Sequence, residues 1–199
     1  MTGNKTIDYY NHQAEAYIRN TYDADVEEIR SRFLKYQNPG NLILDFGCGS
    51  GRDSKAFLEQ GYRVFACDGS EEMCRLASQH TGLQVRQMLF GDLKEERAFD
   101  GIWACASVLH LPKAELLSVF KRMQCALKDN GFAYVSFKYG EFEGERNGRY
   151  FTDLTENSFQ DILQQAAGFD LTEMWISSDV RKDRSGEKWL NAVLRKKQK

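Results

Sequence analysis

Three features of the sequence combine residue type and spacing in ways that suit chemistry. The first is the run Asp45-Phe46-Gly47-Cys48-Gly49-Ser50-Gly51, directly after the apolar Leu42-Ile43-Leu44. Glycines there let the backbone turn sharply and approach a ligand, because no Cβ intervenes and positive φ costs little. The second is Asp68, 23 positions after Asp45, which closes the run Val64-Phe65-Ala66-Cys67. A carboxylate at the end of the strand after such a loop is placed to accept hydrogen bonds from both hydroxyls of a ribose. The third is His110, at the end of Ser107-Val108-Leu109. An imidazole titrates near neutrality and can serve as a general base. With no orienting partner visible beside it, His110 reads as a structural or cofactor-positioning residue ahead of a catalytic one.

The loop discriminates between two classes of nucleotide. A dinucleotide site uses GxGxxG, where the third glycine allows close helix packing and the helix N-terminus faces a pyrophosphate. Here Arg52 occupies the place of that third glycine. Asp45 beside the loop repels phosphate and attracts an ammonium. A nucleoside that carries an amino acid therefore fits better than NAD, which stays as the competing ligand.

The elements that must position these residues follow from periodicity. Apolar residues recur at helical spacing from Ile7 to about Gln37, giving two opening helices. Short apolar runs suited to strands buried on both faces lie at 42–44, 62–68, near 83–89, at 99–105 and at 132–137. Helical stretches alternate with them: Ser54–Gln60, one capped by Ser70, Pro112–Lys128 ended by Asn130-Gly131, and about Thr155–Ala167. Runs at about 171–180 and 188–194 flank a turn at Lys182–Gly186 and read as a hairpin. The fold class is therefore α/β, a doubly wound seven-stranded sheet, mostly parallel, with an antiparallel final hairpin strand and helices on both faces. The Gly- and Glu-rich stretch 139–149 reads as a solvated loop or as an acceptor-binding segment.

Composition narrows the function further. A chain of 199 residues with 42% hydrophobic and 28% charged residues suits one compact domain, 1–199. Its 27 Lys and Arg against 29 Asp and Glu, a net charge of -2, argue against a broad nucleic-acid surface. Five cysteines without a CxxC pair read as reduced core residues, and the three histidines show no metal-ligand spacing, so no metal is expected. A polar N-terminus and the lack of a long apolar run point to the cytoplasm and away from a membrane.

The segments LILDFGCGSGRDS, VFACDGSEEM, FDGIWACASVLHL and LKDNGFAYVSFK, covering about Leu42 to Lys138, with LTENSFQDILQQAAGF after them, carry a family resemblance. The chain resembles the class I S-adenosylmethionine-dependent methyltransferases, in particular the small bacterial group that includes tellurite-resistance-like proteins. The resemblance implies a Rossmann-like core at 41–195 and an N-terminal helical lid region at 1–38. It places Gly47, Cys48, Gly49 and Gly51 beneath the methionine part of the cofactor, Asp45 in its water or amine network, and Asp68 on the ribose. Gly69, Ser70 and Met73 would line the ribose and adenine. The adenine edge falls either to Asp92 or to Met88, Leu89 and Phe90, since Asp92 is equally a helix cap. Ala104 and Cys105 would pass the methionine moiety. Tyr17, sharing a helix face with Tyr10, would belong to the lid, and Arg19 would meet the methionine carboxylate.

A sulfonium already carries a good leaving group, so such an enzyme mainly holds a nucleophile in line with the methyl carbon. His110 is the base on offer if the acceptor needs one. Tyr139, Arg146, Arg149 and Tyr150 are placed to shape an acceptor site, the arginines for an anionic group. The leading expectation is methyl transfer to a small molecule by a monomer or homodimer. One alternative is a protein or RNA substrate bound by Arg146, Arg149, Arg181, Lys182, Arg184 and the basic tail as one patch. Another is S-adenosylmethionine binding without turnover.

Overall fold

The computed structural model describes residues 2–181, 184 and 186–198, with side chains from Lys5 onward. Lys182, Asp183 and Ser185 of the expected turn, and Lys199 of the basic tail, lie outside the described residues. Two helices open the chain, α1 (Thr2–Thr21) and α2 (Glu27–Leu34). Strands and helices then alternate as β1 (Leu42–Phe46), α3 (Arg52–Glu59), β2 (Arg63–Asp68), α4 (Glu71–Thr81) and β3 (Arg86–Gln87). They continue through β4 (Phe99–Ala104), α5 (Lys113–Ala126), β5 (Leu127–Lys138), β6 (Glu143–Arg146) and β7 (Arg149–Thr152). α6 (Glu156–Ala166), β8 (Phe169–Ser178) and β9 (Lys188–Lys196) complete the order.

Seven strands form one sheet in the order β3-β2-β1-β4-β5-β9-β8. Pairing is parallel from β3 to β5, and β9 runs antiparallel to both β5 and β8. Alternation along each strand buries both faces. Leu44, Ile102 and Val135 pack with Leu116 and Phe120 of α5 and Phe159 of α6. On the other face Ile43, Trp103 and Tyr134 pack with Phe33 of α2 and Phe57 of α3, the Trp103 and Tyr134 rings stacking at 4.1 Å. The strand order reverses between β1 and β4, and a doubly wound sheet opens a crevice at the carboxyl ends of such a pair.

Three elements depart from the sequence expectation. β3 shrinks from a seven-residue run to two residues, because only Arg86 and Gln87 find ladder partners, on Cys67 and Asp68, before the chain turns into a 3-10 helix at Phe90–Asp92. β5 starts at Leu127 directly on the end of α5 instead of after Asn130-Gly131. Leu127 pairs with Phe99, the register then jumps to Phe132 opposite Gly101, and Asn130 takes a φ of +62° in the intervening bulge. The 139–149 stretch is mostly ordered as the hairpin β6–β7. Its turn is Asn147-Gly148, both at positive φ, the residue pair that a tight hairpin turn favours.

Candidate active site

The glycine loop leaves the end of β1 and folds back on the end of β2. The backbone N–H groups of Gly47 and Cys48 donate to the Cys67 carbonyl at 3.0 and 2.9 Å. Gly47 sits at φ +86°, and a Cβ there would lie 2.5 Å from that of Ser107. Gly51 sits at φ +76°, where a Cβ would lie 2.7 Å from Thr81 Cγ2. Both positions therefore require glycine for conformation and for space. Asp68 ties the loop to the next helix: its Oδ2 accepts from Gly49 N–H and its Oδ1 from Ser70 N–H, each at 2.9 Å. Burial raises the Asp68 pKa, and these donors partly offset it.

Two further carboxylates lie under the loop in opposite protonation regimes. Asp45 accepts from Ser54 Oγ at 2.6 Å, and burial with the nearby Asp53 charge pushes its pKa up to about 7. Burial pushes Asp53 up too, yet Arg52 and Arg30 overcome it and hold the carboxyl below its usual range. Arg30 and Arg52 each approach Asp53 at 2.9 Å, and Trp103 Nε1 donates to it at 3.0 Å. Arg52 also donates to the Thr21 carbonyl at the end of α1.

The helix α1 closes the space above. Tyr10 Oη and His110 Nε2 are 2.9 Å apart, and His110 Nδ1 lies 2.7 Å from the Tyr150 carbonyl oxygen. A carbonyl only accepts, so Nδ1 carries the proton and Nε2 accepts from the Tyr10 hydroxyl. Burial, aided by the Arg149 and Arg146 charges, pushes the imidazole pKa down to about 4. His110 is thus neutral and has an orienting partner at each nitrogen, which the sequence did not show. The β6–β7 hairpin clamps α1 in turn, with Tyr150 N–H donating to Thr6 Oγ1 at 2.9 Å and Lys5 facing Glu145 at 3.1 Å.

These elements line a half-open cavity of about 1070 Å³. Tyr17, Asp45, Gly47, Cys48, Asp68, Gly69, Ser70, Met88, Leu89, Phe90, Asp92, Cys105, His110, Tyr139, Arg146 and Arg149 all lie in its wall. Gly49, Gly51, Arg19, Met73, Ala104 and Tyr150 do not. Met73 packs in a small core with Ala14 and Ile18, and Ala104 belongs to the main core. Arg19 points outward beside Glu15 with 72% of its side chain exposed, while Tyr150 turns its hydroxyl to Glu143. Asp92 caps no helix through its side chain. Wall residues that sequence reasoning left out include Tyr134, Ser136 and Arg52. Arg52 had been visible only as the residue that spoils a third glycine. Lys138, Arg181 and Trp189 join the wall from β5, from the end of β8 and from β9.

Comparison with known proteins agrees with this geometry. Residues 43–131 match a family described as a methyltransferase domain. An uncharacterized methyltransferase of Staphylococcus carnosus (strain TM300) is 27% identical over 155 residues, 68% of this chain and 75% of its own. YqeM of Bacillus subtilis (strain 168), whose methyltransferase name is provisional, is 34% identical over 139 residues. That match covers 64% of this chain, which spans only 55% of YqeM. Among solved structures, the 1,6-didemethyltoxoflavin-N1-methyltransferase of Burkholderia thailandensis, bound to its substrate and S-adenosylhomocysteine, superposes with a TM-score of 0.76. Its 22% identity, over 96% of this chain and 85% of that one, supports the fold alone. The chain is thus similar to methyltransferases over its middle, residues 43–131, and shares its fold with a solved methyltransferase.

Proposed function

We propose that the chain is a class I methyltransferase with S-adenosylmethionine as its cofactor, and that it methylates a small molecule bound in the outer half of the same cavity. The observation that carries this reading is size: α1 and the β6–β7 hairpin cover one side of a half-open space of about 1070 Å³. That exceeds the roughly 300–1,000 Å³ of a pocket for one drug-sized ligand and leaves room for a cofactor and a small acceptor together.

The wall fits the cofactor in its chemistry. The Asp68 oxygens accept from backbone N–H groups at Gly49 and Ser70 without filling their lone pairs, which leaves acceptor sites for two ribose hydroxyls. Leu89 is 49% exposed although large and apolar, and with Met88 and Phe90 it offers an adenine a face to cover. Gly69, Ser70 and Cys48 complete the nucleoside side, and Gly49 and Gly51 shape the loop from behind. Asp45 is the acid for an ammonium, and Arg52, in the place foreseen for Arg19, is the cation for a carboxylate. When bound, S-adenosylmethionine supplies a methyl group on a sulfonium with a neutral thioether as leaving group.

The protein's task is then to orient the nucleophile and exclude water. Cys105 and Tyr17 border the region where acceptor and cofactor meet. His110 works as a positioning residue that holds Tyr10 of the lid, because both of its nitrogens are engaged and its pKa is low. Tyr139, Arg146 and Arg149 serve the acceptor, and Tyr150 acts through its backbone on His110 and Thr6. The basic tail does not join the cavity arginines: Lys188 pairs near the end of β5 and Arg195 opposite its Phe132, with about 26 Å of β9 between Lys188 and Lys196. That separation weighs against a single RNA- or protein-binding patch.

Transfer of radiolabelled methyl groups to a metabolite extract, to total RNA and to bulk protein tests the reading. Label in the small-molecule fraction is the expected result, and label confined to RNA or protein would overturn it.

A further inference from the structure

We propose that the acceptor is anionic, and that Arg149, with Arg146, Lys138 and Arg181 around it, holds its carboxylate or phosphate group. The inference rests on the small-molecule reading above and names the chemistry of that molecule.

The key residue is Arg149. Its guanidinium lies over the rings of Tyr9 at 4.5 Å, Phe151 at 5.1 Å and Tyr10 at 5.7 Å, so aromatic faces fix it in place. Among the described residues its one hydrogen bond runs from Nη1 to Tyr10 Oη at 3.3 Å, no carboxylate pairs with it, and its buried Nε has no partner. A guanidinium with several unused donors in a cavity wall is matched by a planar or tetrahedral oxyanion.

The surroundings are positive as well. Among the described residues that line the cavity from α5 to β9 are six cations, Lys138, Arg146, Arg149, Arg181, Arg184 and Lys188, and four carboxylates, Glu115, Asp153, Asp179 and Glu187. Arg146 pairs with Asp153 and lies at 4.6 Å over both Phe142 and Phe151. Arg181 pairs with Asp179, and Lys138 with Glu187. Burial, and after it the charge of Arg146, push the Lys138 pKa down to about 8, while Asp179 acts in the opposite direction. Three different elements, the end of β5, the β6–β7 hairpin and the end of β8, converge their cations on this one space.

The test uses the 199-residue protein saturated with S-adenosylhomocysteine and titrated with inorganic phosphate or with malonate, against potassium chloride at equal ionic strength. Calorimetry is expected to show saturable binding of at least one of the two probes. Arg149→Gln and Lys138→Gln should each weaken that binding about tenfold or more, while Lys55→Gln on the exposed face of α3 should not. Phosphate alone binding supports a phosphorylated acceptor; malonate alone supports a carboxylic acid; both support the anionic site in either form. Absence of binding by both probes, or binding that neither cavity variant weakens, overturns the proposal. S-Adenosylhomocysteine affinity, measured in the same samples, separates the two levels: its loss in the wild type would remove the cofactor reading itself.

Discussion

Asp68 has two tasks that one carboxylate can meet only at the end of β2. It fixes the glycine loop through Gly49 N–H and the start of α4 through Ser70 N–H, and it still presents lone pairs to the cavity. Asp68→Ala should therefore lower S-adenosylhomocysteine affinity by about 1.5–3 kcal/mol, roughly tenfold to a hundredfold, in a calorimetric titration. Asp45 predicts a pH effect. Its folded pKa of about 7 lies above the ordinary value of 3.8, so its contribution to stability is present at acid pH and lost as pH rises through that window. Asp45→Asn should gain stability relative to the wild type between pH 4.5 and 7.5 in denaturant melts. A bound ammonium favours the ionised form, so cofactor affinity of the wild type should fall as pH drops below about 7, and the Asn variant should show a flatter profile. The glycine loop and Asp68 were legible because each is tied to a strand end at a readable spacing. The partners of His110 were not, since Tyr10 lies 100 positions away and the Tyr150 carbonyl 40. Arg19 misled for a related reason: α1 turns Tyr10, Ala14 and Tyr17 inward, and Arg19 falls on the solvent side of the same helix.

At the scale of elements, the roof matters most. α1 and β7 meet through Thr6, whose Oγ1 accepts from Tyr150 N–H, and through the Tyr10, His110 and Tyr150 chain below it. Thr6→Val keeps the shape and removes the acceptor, leaving a backbone donor unpaired at a cost of about 1–3 kcal/mol. Amide exchange of residues in α1 and β6–β7 should speed up in that variant, while the amides of β1 and β4 keep their protection. Most of the alternation of strands and helices could be read directly, because the buried strands are short apolar runs and the helices carry clear stripes. The β6–β7 hairpin escaped that reading: its Glu- and Arg-rich strands have one solvated face and too few apolar residues to show a period of two. Asn147-Gly148 was the signal available for it. β3 was overread because apolar residues at Leu83, Val85 and Leu89 persist beyond the two that find a ladder partner.

For the whole molecule, the strand order explains why the parts assemble where they do. The reversal between β1 and β4 opens the sheet at the carboxyl ends of its parallel strands, and the loops after β1, β2 and β4 enter that opening. The final hairpin, β8 with β9, widens the sheet beyond β5 and brings Arg181 and Trp189 to the same end. No helix among the described residues is long and apolar enough to cross a membrane. In the proposed function, one opening would receive a nucleoside on the side of β1 and β2 and an acceptor on the side of β5 and β9. The most direct test of this arrangement is a calorimetric titration of purified protein with S-adenosylhomocysteine beside NAD, after removal of any co-purified ligand. The geometry predicts saturable micromolar binding of S-adenosylhomocysteine and none of NAD. Binding of NAD with no response to S-adenosylhomocysteine would contradict the roles assigned to Asp45, Arg52 and Asp68.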